Sequence, residues 1–236
     1  MTHQNDSVGT ATAKHIFRAI RKDTILLRAL LAEYETLFLP NDGKRHDQER
    51  LLRHASGFIS ILGQVIPDYL ILGVSRLVDP PRTGKHENLS LHRLADALNA
   101  EGHSGLAKPI REAIASRRKE IEVIRLHRMK RLAHLDLRRI LKGGEAADEL
   151  DAVTFNHIRS CLEDFHKVLN GCEAVLENAT TSFNVAVRGS ANSLLSRLRK
   201  AERYDQLRKK CQNMHSQEGR GVEVRFDMET AELIWD

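Results

Sequence analysis

Apolar residues recur along most of the chain at intervals of three and four, the period of an amphipathic helix. Ile16, Ile20, Leu27, Leu30, Leu31 and Leu37 mark a first helix over residues 14–38, and Pro40-Asn41-Asp42-Gly43 closes it with turn chemistry. Asp47 is placed to cap a second run through Leu51, Phe58, Ile61, Leu62, Val65, Tyr69, Leu72 and Leu77. Pro67 is expected to kink or divide that run, and Asp79-Pro80-Pro81 ends it. Ser90 is a natural N-cap for a short helix over 91–100. Gly102 and Gly105 separate it from a long helix, with Pro109 in its first turn, that runs toward Leu141 and stops at Gly143-Gly144. Thr154 caps the next, carrying Phe155, Ile158, Leu162, Phe165, Val168, Leu169, Cys172 and Leu176. A smaller run follows over 194–211, and residues 222–226 alternate apolar and polar as a strand does. The pattern predicts an all-α protein, an antiparallel helical bundle with a small C-terminal helical appendix and a short strand. The expected division is a disordered stretch at 1–12, the bundle over 13–186 and the appendix over 187–236.

Composition narrows the function more than the fold. The chain has 236 residues, 29% charged and 41% hydrophobic, as a soluble globular protein does. Aromatics at 5% are too few for extended base-stacking platforms. A formal charge of +5 is mild and argues against a dedicated DNA coat or a polybasic membrane anchor. The first fifteen residues lack an apolar run of signal-peptide type, and no eighteen consecutive residues are apolar, so the expectation is a cytoplasmic protein with no membrane span. Cys161, Cys172 and Cys211 are too sparse for a disulfide framework and lack metal-site spacing. Phosphate-loop, dinucleotide, H-E-x-x-H, C-x-x-C and G-x-S-x-G motifs are all missing. The expectation is therefore no metal and no cofactor. His86, His92 and His103 cluster near one polar connection and read as surface histidines.

Charge is concentrated in one place. Between Arg117 and Lys142 there are ten Lys or Arg against three acids. Within it, residues 121–142 read as an amphipathic helix with Ile121, Ile124, Leu132 and Leu135 on one side. At about 100° per residue, Arg128 falls among those apolar residues. An unpaired guanidinium is costly to bury, so this position implies a seam that is wet or shared with another surface. His134 lies roughly 120° round and about 9 Å along the axis from Arg128. Lys130, Arg131 and Arg138 share its side of the helix, which sets the histidine in a positive field. Arg117, Arg118, Arg125, Lys130, Arg131 and Arg138 are the candidate RNA-binding residues, with Arg117 and Arg118 expected to be exposed.

An arginine followed at this distance by a histidine is a permissive pattern, met also by Arg159/His166 and Arg208/His215. Context distinguishes the first. Arg128-Met-Lys-Arg-Leu-Ala-His134-Leu-Asp136 follows Ser75-Arg-Leu-Val-Asp-Pro80 and Asn88-Leu-Ser90. This combination resembles the HEPN superfamily, in particular its AbiU-like branch associated with phage abortive infection, over roughly residues 14–176. The resemblance implies a HEPN-like bundle in which Arg128 and His134 form the catalytic pair of a metal-independent ribonuclease of toxin or antiphage-defence type. It also implies a homodimer with the two pairs facing one cleft, and an antitoxin or nucleotidyltransferase-like partner.

Those residue types suit the chemistry. Cleaving RNA through its own 2′-hydroxyl needs proton transfer and neutralisation of a crowded phosphate. A histidine titrating near neutrality moves the proton, and an arginine holds the developing charge. The other reading is a catalytically degenerate binding module that holds RNA, a nucleotide or a protein partner on the same basic face.

Overall fold

The computed structural model describes residues 12–39, 42–129, 155–179, 190–218, 224–227 and 232–235. The protein is all-α. Helix α1 spans Ala13–Phe38, α2 Arg45–Leu52, α3 Ser56–Leu77, α4 Leu91–Ala100, α5 Ser104–Ser116, α6 Arg118–His127, α7 Phe155–Leu176 and α8 Ala191–Glu218. Two small antiparallel ladders interrupt them: β1 Arg82–Thr83 with β2 His86–Glu87, and β3 Val224–Asp227 with β4 Glu232–Trp235. The chain forms two compact units, each assembled from two separate stretches.

The first unit takes Met1–Ala32 and Gln64–Val185. Phe17, Ile20 and Leu27 of α1, Leu70 and Val74 of α3, Leu94 and Leu98 of α4, Ile110 of α5, Ile124 of α6, and Phe165 and Leu169 of α7 are buried in it. Each recurs at helical spacing, so removing one apolar face per helix from water drives the assembly. Helix α4 packs on α5, and both α5 and α6 pack on α7. Thr24 sits in the core because its hydroxyl donates to the Ile20 carbonyl at 2.9 Å. Gly73 of α3 lies so close to Leu27 of α1 that a Cβ there would overlap the leucine methyls.

Caps explain where α4 begins and ends. The Ser90 hydroxyl accepts from the Arg93 amide at 3.3 Å, as the sequence predicts. At the other end Gly102 adopts φ +85°, a left-handed conformation natural to glycine. Its N–H bonds the Asn99 carbonyl while the His103 N–H bonds Leu98, the paired bonds of a Schellman motif. The Glu101 carboxylate then accepts the first amide of α1, at Ala13, at 2.7 Å.

Four local expectations are corrected. Asp47 is not a cap: α2 starts at Arg45, and Asp47 lies in its first turn, where a carboxylate favours the helix dipole. Pro67 does not divide the second run. The division comes earlier, in a 3-10 turn at Arg53–Ala55, and α3 continues through Pro67. One lost hydrogen bond is offset by the buried face of Ile66, Leu70, Ile71 and Val74. Pro109 is inside α5 rather than in its first turn, because the helix already starts at Ser104. The long helix expected from Pro109 to Leu141 breaks at Arg117, whose φ of −104° and ψ of 20° end α5 and open α6.

The second unit takes Glu33–Gly63 and Ala186–Asp236. Leu37, Leu52, Ile59, Ala191 and Leu195 form its core, with Phe38, Leu194 and Leu198 packed against them. Gln48 is buried because its amide donates to the Leu37 and Thr36 carbonyls at the end of α1. Glu33 accepts the Ala191 amide at the start of α8, and Arg50 pairs with Glu202. Among the described residues, the Arg45–Leu77 run holds a window of mean hydropathy 1.6, long and apolar enough by length and composition to cross a membrane. Only 33% of that window is buried: Leu70, Val74 and Leu77 face the core, whereas Phe58, Ile61 and Val65 are exposed.

Candidate functional site

The C-terminal turn of α3 and the end of α6 meet in the first unit. Backbone bonds from Val78 to the Ser75 carbonyl and from Asp79 to the Arg76 carbonyl tighten the chain just before Pro80. This turn presents Ser75 and Asp79, four residues apart, on one side. Arg128, at the C-cap of α6, reaches both. Its Nη1 donates to Asp79 Oδ2 at 2.9 Å, to Asp79 Oδ1 at 3.0 Å and to Ser75 Oγ at 3.0 Å. One turn back, Arg125 donates to the Val78 carbonyl. Asn88 holds the loop between, donating to the Pro80 carbonyl at 2.8 Å and Thr83 Oγ1 at 2.7 Å. The residues at 75–80 and 88–90 and Arg128, far apart in sequence, therefore build one end of the fold.

This geometry gives Arg128 a partner within its own chain. Its place in the apolar stripe calls for a counter-charge, and Asp79 of the same chain supplies it. The arginine side chain is 36% exposed and the aspartate 22%. No second copy is needed to make the position affordable. His134, Lys130, Arg131 and Arg138 lie outside the described residues. Met129, beside Arg128, is exposed, and His127 is buried.

His92 of α4 is a titratable group near this end that the sequence reading set aside as a surface histidine. It is half-buried, and its pKa lies below the usual value because of burial first and then the nearby Arg125 guanidinium. Asp96 opposes that shift but is itself bridged to Arg111 at 3.0 Å. Among the described residues no three His, Cys, Asp or Glu side chains are grouped as a metal site would require.

The other end of α6 also departs from expectation. Arg117 is only 29% exposed and makes two ion pairs, Nε to Asp164 Oδ2 at 2.7 Å and Nη1 to Glu120 Oε1 at 3.2 Å. The Asp164 hydrogen bond raises its pKa further. Glu120 is held below the ordinary carboxylate value by its own backbone amide, with Arg117 adding to the effect. Burial pushes Asp164 up, but the bonds from Arg117 and Lys167 outweigh it and leave its pKa lowered. Arg117 is thus a tie between α6 and α7, and the expectation that it is exposed fails. Arg118 is 82% exposed and makes only a surface pair with Glu122 at 2.9 Å, as expected of an open cation.

The competing arginine–histidine match at 159 and 166 has separate local partners. Arg159 bonds Asn156 and His166 bonds Asn170. Burial pushes the Cys161 thiol up to about 12 and the Cys172 thiol to about 11, so neither is a nucleophile near neutrality.

One end of an all-helical unit thus gathers the Arg76-Leu-Val-Asp-Pro80 turn, the Asn88-Leu-Ser90 cap and the end of the basic helix α6. The family model HEPN_AbiU2, described as AbiU2, matches residues 11–195, and the chain belongs to that family. No curated protein and no solved structure matches it.

Proposed function

We propose that the protein is a metal-independent endoribonuclease of toxin or antiphage-defence type, with Arg128 and His134 as its working pair. The observation that carries this reading is the fixed Arg128 guanidinium. Three bonds share Nη1, so a phosphate oxygen approaching Nη2 or Nε meets donors that those bonds do not use. An arginine held this way is pre-organised for a trigonal-bipyramidal phosphate. In this scheme His134 moves the proton of the attacking 2′-hydroxyl or of the leaving oxygen, Arg128 stabilises the added negative charge, and Arg118 and the basic residues after Met129 attract the strand. The scheme stands on one copy of the chain; a homodimer and an antitoxin partner remain inferences from family membership.

The test is cleavage of a structured RNA by the wild type beside His134→Ala, both in excess chelator. The expected result is wild-type cleavage leaving 2′,3′-cyclic phosphate ends, with a loss of about 10²–10⁴-fold in the variant. Activity that requires magnesium, or that survives His134→Ala, defeats the assignment. A second reading, a binding module without chemistry, is favoured by Asp79, because a carboxylate on Arg128 already neutralises the charge a substrate phosphate seeks. It predicts RNA binding in chelator with intact RNA recovered.

A further inference from the structure

The first unit has an open concavity of about 620 Å³ where α5 gives way to α6, at the opposite end of α6 from Arg128. Arg118, Lys119, Glu120 and Val123 of α6 line it together with His157 of α7. We propose that this concavity is a phosphate-binding subsite, with Arg118 and Lys119 on one wall and His157 on the other. The phosphate is that of an RNA strand laid along α6 or of a free nucleotide.

The acids around the cavity do not oppose this. Glu120 is paired with Arg117, and Asp164, which shares that arginine, is also paired with Lys167, so the two acids meet two cations within the fold. Glu122 meets Arg118 only through a surface pair of the kind that water and salt weaken readily. Lys119 is exposed and forms no ion pair with a described residue. His157 brings a different observation. Its Nδ1 is buried with no hydrogen-bond partner among the described residues. Its Nε2 is not enclosed in this way and is the ring nitrogen open to a ligand.

Two cations and an imidazole thus line one space from two different helices. A tetrahedral anion, with oxygens pointing several ways, accepts from such a set better than a flat carboxylate does. Arg118 and Arg128 are ten residues apart, about 15 Å along a helix. A strand with one phosphate at Arg128 therefore has a later phosphate within reach of this cavity. That link rests on the ribonuclease reading, whereas phosphate binding in the cavity does not.

The experiment follows the His157 imidazole by nitrogen-edited NMR, its signal assigned by its disappearance in His157→Gln. The probes are inorganic phosphate, uridine monophosphate and a 2′-O-methylated hexaribonucleotide that cannot be cleaved through its 2′-oxygen. Saturable shifts are expected, with affinity about tenfold weaker in Lys119→Ala and unchanged for inorganic phosphate in Arg128→Ala. Tighter binding of the hexanucleotide than of the mononucleotide assigns the site to a strand; equal binding assigns it to free nucleotide. A His157 signal that ignores all three probes overturns the proposal, and so does equal affinity in Lys119→Ala, a surface change that leaves the core untouched. Shifts at His157 in a protein that cleaves no RNA would sink the ribonuclease reading and leave the subsite standing. Cleavage with a silent cavity would do the reverse.

Discussion

At the start of α6 Arg117 reaches across to Asp164 of α7, and at its end Arg128 reaches across to Asp79 beyond α3. The two arginines are similarly exposed, at 29% and 36%. They differ in how their donors are used. Arg117 offers two nitrogens to two separate carboxylates, and its charge is balanced by the fold. Among the described residues Arg128 places three bonds on one nitrogen and meets one carboxylate, which leaves the other edge of its fork to a further acceptor. A run of basic residues is therefore not a uniform positive field. Its members divide into structural ties, open cations and a held but usable guanidinium.

Four measurements would break or sharpen this contrast. The largest effect is expected at the far end. Arg128→Ala should lower the cleavage rate by about 10²–10³-fold, as loss of a transition-state donor does, while Arg117→Ala leaves the rate constant of the folded enzyme near wild type. Equal losses in single-turnover assays would erase the distinction.

Stability should reverse the order of the neighbouring pair. Arg117→Ala leaves Glu120 without its arginine and Asp164 with Lys167 alone, and should cost about 1–2 kcal/mol in urea unfolding, whereas Arg118→Ala should fall within about 0.5 kcal/mol of wild type. A stable Arg117→Ala would mean that its bridges are ornamental.

Acid should find the same tie. Asp164 and Glu120 have folded-state pKa values below their ordinary ones. Their contribution is present above the ordinary carboxylate range and is lost as pH falls through the lowered values. His92, also lowered, acts in the same sense but sooner, since the unfolded chain takes up its proton first as pH drops below the usual histidine value. The urea midpoint should thus decline in two stages on acidification, and Asp164→Asn should flatten the lower one. A midpoint that rises on acidification contradicts the sign. The smallest effect is in salt dependence: Arg118→Ala should reduce the slope of log affinity against log salt by about 1, and Arg117→Ala should leave it unchanged.

The helices themselves were legible where period and cap agree. Ser90 signals α4 by residue type alone, and the apolar spacing from Ile16 to Leu37 marks α1. The break at Arg117 was not legible, because no glycine or proline marks it. It coincides with a side-chain bond to Asp164, 47 residues away, and such contacts have no local signature. Histidine spacing points to Arg128, whereas Asp79 reads as a helix stop and as part of the Ser75–Pro80 segment of the family resemblance, not as the partner of Arg128. The clue was present in Ser75 and Asp79, four apart and polar at the end of an apolar helix. His157 gave no sequence signal beyond a polar residue in the first turn of α7.

Gly73 has a consequence for how this chain drifts. The methyls of Leu27 occupy the space that any side chain at 73 would need, so the two positions are not free to change one at a time. Alanine at 73 demands a smaller residue at 27, and that in turn leaves a void if 73 returns to glycine. Positions 27 and 73 should therefore be inherited as a pair. A library randomised at both would return large–small and small–large combinations, with few sequences in between.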